Sequence, residues 1–521
     1  VSVGFGVIRS AAQAPPSKEA WEYVCQLVDS VREPGELERA MGYLESSLRD
    51  WPVALRQPPK HWRRKIMSGD ASPRYRLIRT MLLSSTTQRY VERAVATGLP
   101  GAARVEHLDV QGESFDPAGL VVLLDSACFP ALEGLRFDRF AWGTSRAWRG
   151  FGKALAARPR LTRVHLSDSH HLATQCVKAL GGHAHGLTSI TIEGSAFDGQ
   201  QVANLARVLD APTSQITALG LPNNRCGSEG WRALAGPGLA RLESLDLSST
   251  LGDAAAARAL TARPLPNLRH LDVRHNALGG EGIAALLEAT SGLESLGVDL
   301  YGDTDDVAAA LARPGALASL RRLTVQFTSG GQRRLVEALA VAGAFEGLEH
   351  LSVRNLSQRG AKVLLAQDLG QLTTLELDAG HTRTDTWDAA AQNASLDRLE
   401  SLRLNDCAWV EGEGWARFCG GAGFAGLTRL ELEGCGGDPL ERLAGSDRVS
   451  SLARLSLRRV PSDGAALARL FADPRVARLE AIELEMDRLP TPEEAAALVG
   501  AEHTPRFWRV PKSARKVARR G

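Results

Sequence analysis

Four histidines, His170, His171, His183 and His185, lie close enough along the chain to invite a metal reading. A zinc ion needs its ligands about 2 Å away, so the four rings would have to converge on one point. His170 and His171 follow a strand predicted at 161–166, whereas His183 and His185 precede the next one at 187–192. The pairs therefore fall at opposite edges of the same sheet, and neither a metal nor a cofactor is expected. The seven cysteines (25, 128, 176, 226, 407, 419 and 435) are scattered, with no C-x-x-C pairing. That spacing favours reduced, mostly buried small side chains over a disulfide framework or zinc module. The chain carries no phosphate-cradling G-x-x-x-x-G-K-[ST], no dinucleotide fingerprint after a strand and no G-x-S-x-G nucleophile elbow. A Ser-His-Asp set is recognised by geometry, and no spacing here singles one out. The expectation is a non-enzyme without catalytic residues.

What positions these side chains is a repeat. The pattern L-x-x-L-x-L recurs fifteen times, beginning at Val105, Leu132, Leu161, Leu187, Ile216, Leu242, Leu268, Leu293, Leu320, Leu348, Leu372, Leu399, Leu427, Leu452 and Leu479. Spacings run from 24 to 29 residues, which suits stacked supersecondary units. The last two apolar positions alternate at period two and so share one face of a short strand. Three residues past the strand, Asn224, Thr250, Asn276, Cys407 and Cys435 stand where an inward side chain can satisfy backbone groups of the bending chain. Helical stretches follow at 278–289, 226–235 and 356–365. In the first, Ile283, Leu286 and Leu287 share one face. One unit cannot bury its apolar face alone, whereas stacking buries a continuous core.

Val105-Glu-His-Leu-Asp-Val110, Leu268-Arg-His-Leu-Asp-Val273 and Leu399-Glu-Ser-Leu-Arg-Leu404 resemble the ribonuclease-inhibitor-like class of leucine-rich repeats. The resemblance covers about 101–505. It implies an α/β solenoid, a right-handed horseshoe of about 15 repeats with strands on one continuous curved sheet. It also implies binding of a macromolecule on the concave face and no enzyme activity. Several repeats of 24–26 residues are shorter than that class's and leave short helices. Bacterial ubiquitin ligases built on such repeats have a catalytic domain with a nucleophilic Cys after them; here only a short segment follows, without Cys. Repeat-built activators of Ran GTPase end in a long acidic tail, and this tail is basic.

The second, third and fifth motif positions face away from the core and carry 13 acidic and 8 basic residues. A net acid surplus disfavours duplex nucleic acid, whose affinity comes from neutralised phosphates. A protein partner read by polar complementarity is expected. Two residues past the strand the column is usually Gly, Asp, Ser, Asn or Arg, but it holds Leu300 and Phe327 in adjacent repeats. With Arg322, His270 and His350 nearby, this is the expected partner-binding spot, with both apolar side chains solvent-accessible. The function expected is an interaction scaffold or sensor; the alternative is a secreted effector that binds a host protein.

Outside the repeats, residues 1–14 are expected to be disordered. Residues 15–96 are expected to form an all-helical capping domain of about four helices, covering Val105, Leu108 and Val110. One stripe runs through Trp21, Val24, Cys25 and Val28, a second through Leu37, Met41, Leu44 and Leu48, and Ser72-Pro73 reads as a helix start. Segment 56–93 holds 10 basic and 2 acidic residues, a second possible contact surface for nucleic acid or an acidic partner. Residues 506–521 read as a degenerate C-terminal cap, with Phe507 and Val510 in strand positions around Trp508, and a basic tail. Few Lys among the basic residues and abundant Ala and Gly suggest a bacterial source. No apolar run reaches the roughly 18 residues of a membrane span. The single basic residue of the first ten, Arg9, follows the apolar stretch, which is the wrong order for an export signal. A cytoplasmic location is therefore expected, with secretion as the alternative.

Overall fold

The computed structural model describes residues 5–84, 88–111, 117–139, 150–181, 186–300, 304–327, 331–378, 384–407, 412–436, 439, 443, 445–459, 469–470, 479, 481–485 and 507–509. The chain divides into two compact units, Val1–Leu251 and Gly252–Gly521. The first carries β1 (Thr80–Ser84), β2 (His107–Gln111), β3 (Gly134–Asp138), β4 (Arg163–Ser167), β5 (Ser189–Glu193), β6 (Ala218–Gly220) and β7 (Ser244–Asp246). The second carries β8 (His270–Asp272), β9 (Ser295–Leu300), β10 (Arg322–Phe327), β11 (His350–Arg354), β12 (Thr374–Asp378), β13 (Ser401–Asn405), β14 (Arg429–Glu433), β15 (Arg454–Arg458), β16 (Ala481–Glu485) and β17 (Phe507–Arg509). Within each unit consecutive strands pair in parallel and in equivalent register, as in Leu108↔Leu135, Leu375↔Leu402 and Leu402↔Leu430. Each of the fifteen motifs supplies one strand, beginning two residues after the motif's first position. Each unit is thus a stretch of leucine-rich-repeat solenoid.

Parallel strands one repeat apart need a crossover, and helices supply it. Gly279–Ala289 buries Ile283, Leu286 and Leu287 against the sheet, as the 3.6-residue periodicity requires. Helix Gly199–Asp210 starts with a capping box: Asp198 accepts from the Gln201 N–H, and the Gln201 side chain accepts from the Asp198 N–H. Asp253, in the same position of its repeat, caps Ala254–Leu260, and Ser357 caps Gln358–Leu365.

Each strand must end abruptly for the chain to reach the helix layer. Two residues past the motif, Arg139, Asp168, Gly194, Asn223, Ser249, His275, Asn355, Asp406, Gly434 and Arg459 all take left-handed φ values of 47° to 62°. This conformation favours Gly, Asn and Asp. The next residue turns inward. Asn224 donates to the carbonyls of Ile192, Leu221 and Pro222 and accepts from the N–H groups of Ser195 and Phe197. Asn276, Cys407 and Cys435 serve carbonyls at the same position. Ser195 links to the ladder's next rung by accepting from the Ser169 N–H at 2.9 Å.

β9 and β10 are the exception, and they overturn one expectation. Both run six residues, so Leu300 and Phe327 stay in the strand and pair with each other. Period two then carries the apolar column one step further: Leu296, Val298, Leu300 on one strand and Leu323, Val325, Phe327 on the next. Leu300 and Phe327 are each 1% exposed. They are core, and the predicted apolar spot on the surface does not exist.

The N-terminal region differs from expectation in three respects. Residues Phe5–Ala12 form α1, which buries Ile8, Ala11 and Ala12 and packs on α2 (Lys18–Ser30) and α3 (Pro34–Ser47), so this part of 1–14 is ordered. With α4 (Lys60–Ile66) and α5 (Gln88–Thr97) the expected four helices of 15–96 are present. The region is not all-helical, however, because Ile78-Arg-Thr-Met-Leu-Leu83 is a further repeat motif, 27 residues before Val105, and forms β1. Its Met81 and Leu83 align with Leu108 and Val110, which are fully buried. The expected helix after Ser72 is a short 3₁₀ turn, Pro73–Leu77, and Ser72 makes no cap bond. At the other end, β17 sets Trp508 beside Ile482, the fourth motif position expected for Val510. Val510, the basic tail, His183 and His185 lie outside the described residues.

Two substitutions test this account. Phe327→Ala should cost about 3–5 kcal/mol by emptying a core position; a urea melt that moves by much less would return Phe327 to the surface. Asn224→Ala should cost about 2–3 kcal/mol, because it strands two buried N–H groups.

Candidate functional site

The sheet face opposite the helices is built from the alternate strand positions. In the second unit the third motif position places His270 on β8, Ser295 on β9, Arg322 on β10, His350 on β11, Thr374 on β12, Ser401 on β13, Arg429 on β14 and Arg454 on β15. Register sets Arg322 directly beside His350 and, on its other side, beside Ser295, the neighbour of His270. The structure therefore brings Arg322, His350 and His270 into one polar lane and leaves Leu300 and Phe327 on the other face. Arg322 is exposed and has no ion-pair partner among the described residues.

Across β11–β15 this face encloses a groove of about 540 Å³, lined by His350, Thr374, Glu376, Glu400, Arg403, Arg429, Glu431 and Arg454 among others. Much of its charge is internally matched. Arg403 lies 3.5 Å from Glu431 and 3.6 Å from Glu433, Arg429 pairs with the same Glu431, and Arg459 reaches Glu433 at 3.1 Å. The Arg403 and Arg459 pairs reach across to β14, whereas Arg429 and Glu431 share that strand. Glu376, Glu400 and Arg454 differ: none has an ion-pair partner among the described residues, although all three line the groove. The column count contained these residues without distinguishing them, because partnership is set by side-chain reach across strands.

In the first unit the fifth position forms a denser row: Asp109, Arg136 and His165 on adjacent strands. His165 faces Glu193 at 3.4 Å. Burial, reinforced by Arg136, pushes the His165 imidazole below its ordinary value, while Glu193 opposes. Burial pushes the Asp109 carboxyl up, and Arg136 opposes. One lane over, the Arg163 guanidinium meets the His107 ring at 2.9 Å across Gly134. A Cβ at Gly134 would stand 2.4 Å from that ring, so the missing side chain makes room for it. His107 is held low by burial and then by Arg163. Of the four histidines considered for metal, His170 Nδ1 lies 2.8 Å from the Ser195 carbonyl oxygen.

The basic segment 56–93 is partly engaged within the unit, while Lys60, Arg64 and Lys65 stay exposed. Asp29 meets the Trp62 Nε1–H at 2.7 Å, Arg74 at 3.2 Å and His61 at 2.6 Å. Arg76 pairs with Glu38 and Glu45, and Arg63 donates to the Leu82 carbonyl. Asp29, Glu38 and Glu45 thus match the charge of Arg74 and Arg76.

Fold and surface together define a leucine-rich-repeat solenoid with a polar, internally paired sheet face. No family model matches the chain, and no curated protein does. Among solved structures, the yeast complex of Rad7 and Elc1 contains a chain similar to this one at 12% identity and a TM-score of 0.37, covering 88% of this chain and 90% of that chain.

The row in the first unit yields a directional test. Arg136→Gln removes a positive charge that lowers both neighbours, so His165 and Asp109 should each titrate at higher pH than in the parent. Side-chain NMR titration reads both. A shift of the two groups in opposite directions would show that Arg136 acts on them by something other than its charge.

Proposed function

We propose that the protein is a non-enzymatic interaction scaffold or sensor of the ribonuclease-inhibitor-like class, and that a protein partner docks in the groove of β11–β15. The observation that carries this reading is the set Glu376, Glu400 and Arg454. In a surface where neighbouring charges pair along and across strands, these three line one concavity without an ion-pair partner among the described residues. A partner presenting two cations and an anion in the matching arrangement would complete the lattice and gain electrostatic complementarity. Arg322 and His350, adjacent in the same lane, extend the contact surface, and His270 lies further along it. The net acid surplus of the exposed columns supports a protein partner over duplex nucleic acid. A cytoplasmic location fits the seven cysteines, all buried free thiols. No helix among the described residues is long and apolar enough to cross a membrane.

The test is partner capture from the native host, identified by mass spectrometry, with the parent chain and two charge-reversed variants. Glu376→Lys/Glu400→Lys and Arg454→Glu should each lower retention of the same partner by about tenfold or more, since one lost charge contact is worth on the order of 1.4 kcal/mol. Arg333→Glu, on the helix Gln332–Val341, should leave capture unchanged. Equal capture by all four chains would move the docking surface off this groove.

A further inference from the structure

A second concavity, of about 460 Å³, lies within the first unit where α3 and the segment after it meet the first two repeat strands. Its charged lining is four arginines, Arg49, Arg56, Arg79 and Arg104, against two glutamates, Glu45 and Glu106. The two carboxylates are already engaged. Glu106 pairs with Arg79 at 2.9 Å, and Glu45 is shared between Arg76 at 3.2 Å and Arg104 at 3.7 Å. Two guanidiniums of the lining are therefore left without a carboxylate.

These two occupy different depths. Arg56 is 2% exposed. Its Nε donates to the Leu77 carbonyl at 2.9 Å and its Nη1 to the Leu48 carbonyl at 3.2 Å, while Nη2 has no acceptor. This buried guanidinium is a fixed positive charge held by carbonyls, with no carboxylate in direct contact among the described residues. Arg49 is exposed at the rim and has no ion-pair partner among the described residues. Arg104, half exposed, stands beside it in the lining.

We infer that this pocket binds a phosphate-class dianion, seated between the rim guanidiniums of Arg49 and Arg104 and above the fixed charges of Arg56 and Arg79. Net charge sets the valence: four cations less two anions leaves two positive charges, which a dianion neutralises and a monocarboxylate does not. Guanidinium forks match tetrahedral oxyanions with paired N–H donors. The lining holds no aromatic ring, so the site recognises the phosphoryl group and offers no stacking platform for a base. Burial first and then Arg79 push the Arg56 guanidinium down to about 10, against the pull of Glu106 and Glu45. A bound anion reverses that pressure. The site is independent of the partner groove, which lies in the other unit.

The test is titration calorimetry of the full chain with inorganic phosphate and with pyrophosphate, at constant ionic strength, and thermal melting in the same solutions. Saturable millimolar or tighter binding with a rise in melting temperature is expected. Arg49→Ala and Arg104→Ala are rim changes that leave the buried Arg56 in place. Each should weaken binding by about tenfold, the loss of one charge-assisted contact, and the double variant should abolish the melting shift. Arg333→Ala, in the second unit, should bind as the parent does. Absence of saturable binding, or undiminished binding by the double variant, overturns the assignment. Equal affinity for malonate overturns the phosphate class and leaves a general dianion pocket.

Discussion

Ten of the described strands give way to a left-handed residue two positions past the motif, and the structure depends on how that turn is satisfied. A parallel strand that runs on would carry the chain past the helix layer that covers its apolar face. The left-handed residue after the strand redirects the backbone, and the redirection leaves carbonyls and N–H groups buried where no neighbouring strand can reach them. An unpaired buried backbone group costs about 1–3 kcal/mol, so each turn needs its own internal partner. Asn224 does this most fully, with three donated and two accepted bonds. Where a Cys takes the place, one thiol serves a carbonyl of the preceding repeat. Leucine columns set how strands stack, and this polar ladder sets where they stop.

The exception clarifies the rule. At β9 and β10 the position that elsewhere turns left-handed stays in the strand and takes Leu300 and Phe327, which the extended backbone points inward. An apolar residue in a polar column thus records a change of backbone conformation. The same economy is visible at β1, the edge strand of the first unit. Exposed strand edges invite pairing with other chains. Here Arg56 holds the Leu77 carbonyl just before the strand, Arg63 reaches the Leu82 carbonyl, and the Thr80 hydroxyl bonds to the Val53 carbonyl. Arg56, Arg63 and the Val53 carbonyl thus tie β1 to the N-terminal segment.

Surface chemistry follows from the same geometry. Equivalent positions on adjacent parallel strands lie about 5 Å apart, near enough for Arg and Glu to find each other across one or two strands. The sheet face therefore settles into cross-strand pairs, and exposed charge by itself says little about binding. What distinguishes a site is charge that the lattice fails to match: Glu376, Glu400 and Arg454 around one groove, and Arg49 and Arg56 around another cavity.

The sequence by itself determined the fifteen strands, their register, the helical faces and the identity of the inward-turning ladder residues. Each of these is a local consequence of period two, period 3.6 or a single turn position. It missed β1, where Met81 stands in a leucine column and a basic, helix-rich surrounding masks the motif. It also misassigned Leu300 and Phe327, because the column was read as if every strand ended at the same place. Only the tertiary structure decided which charges are spent and which are free. Arg74 on Asp29, Arg403 on Glu431 and Arg454 with no such partner among the described residues are indistinguishable as residue types. Their fates depend on separations of a few ångströms between side chains far apart in sequence, because coulombic pairing is set by distance and surroundings, neither of which a linear pattern carries.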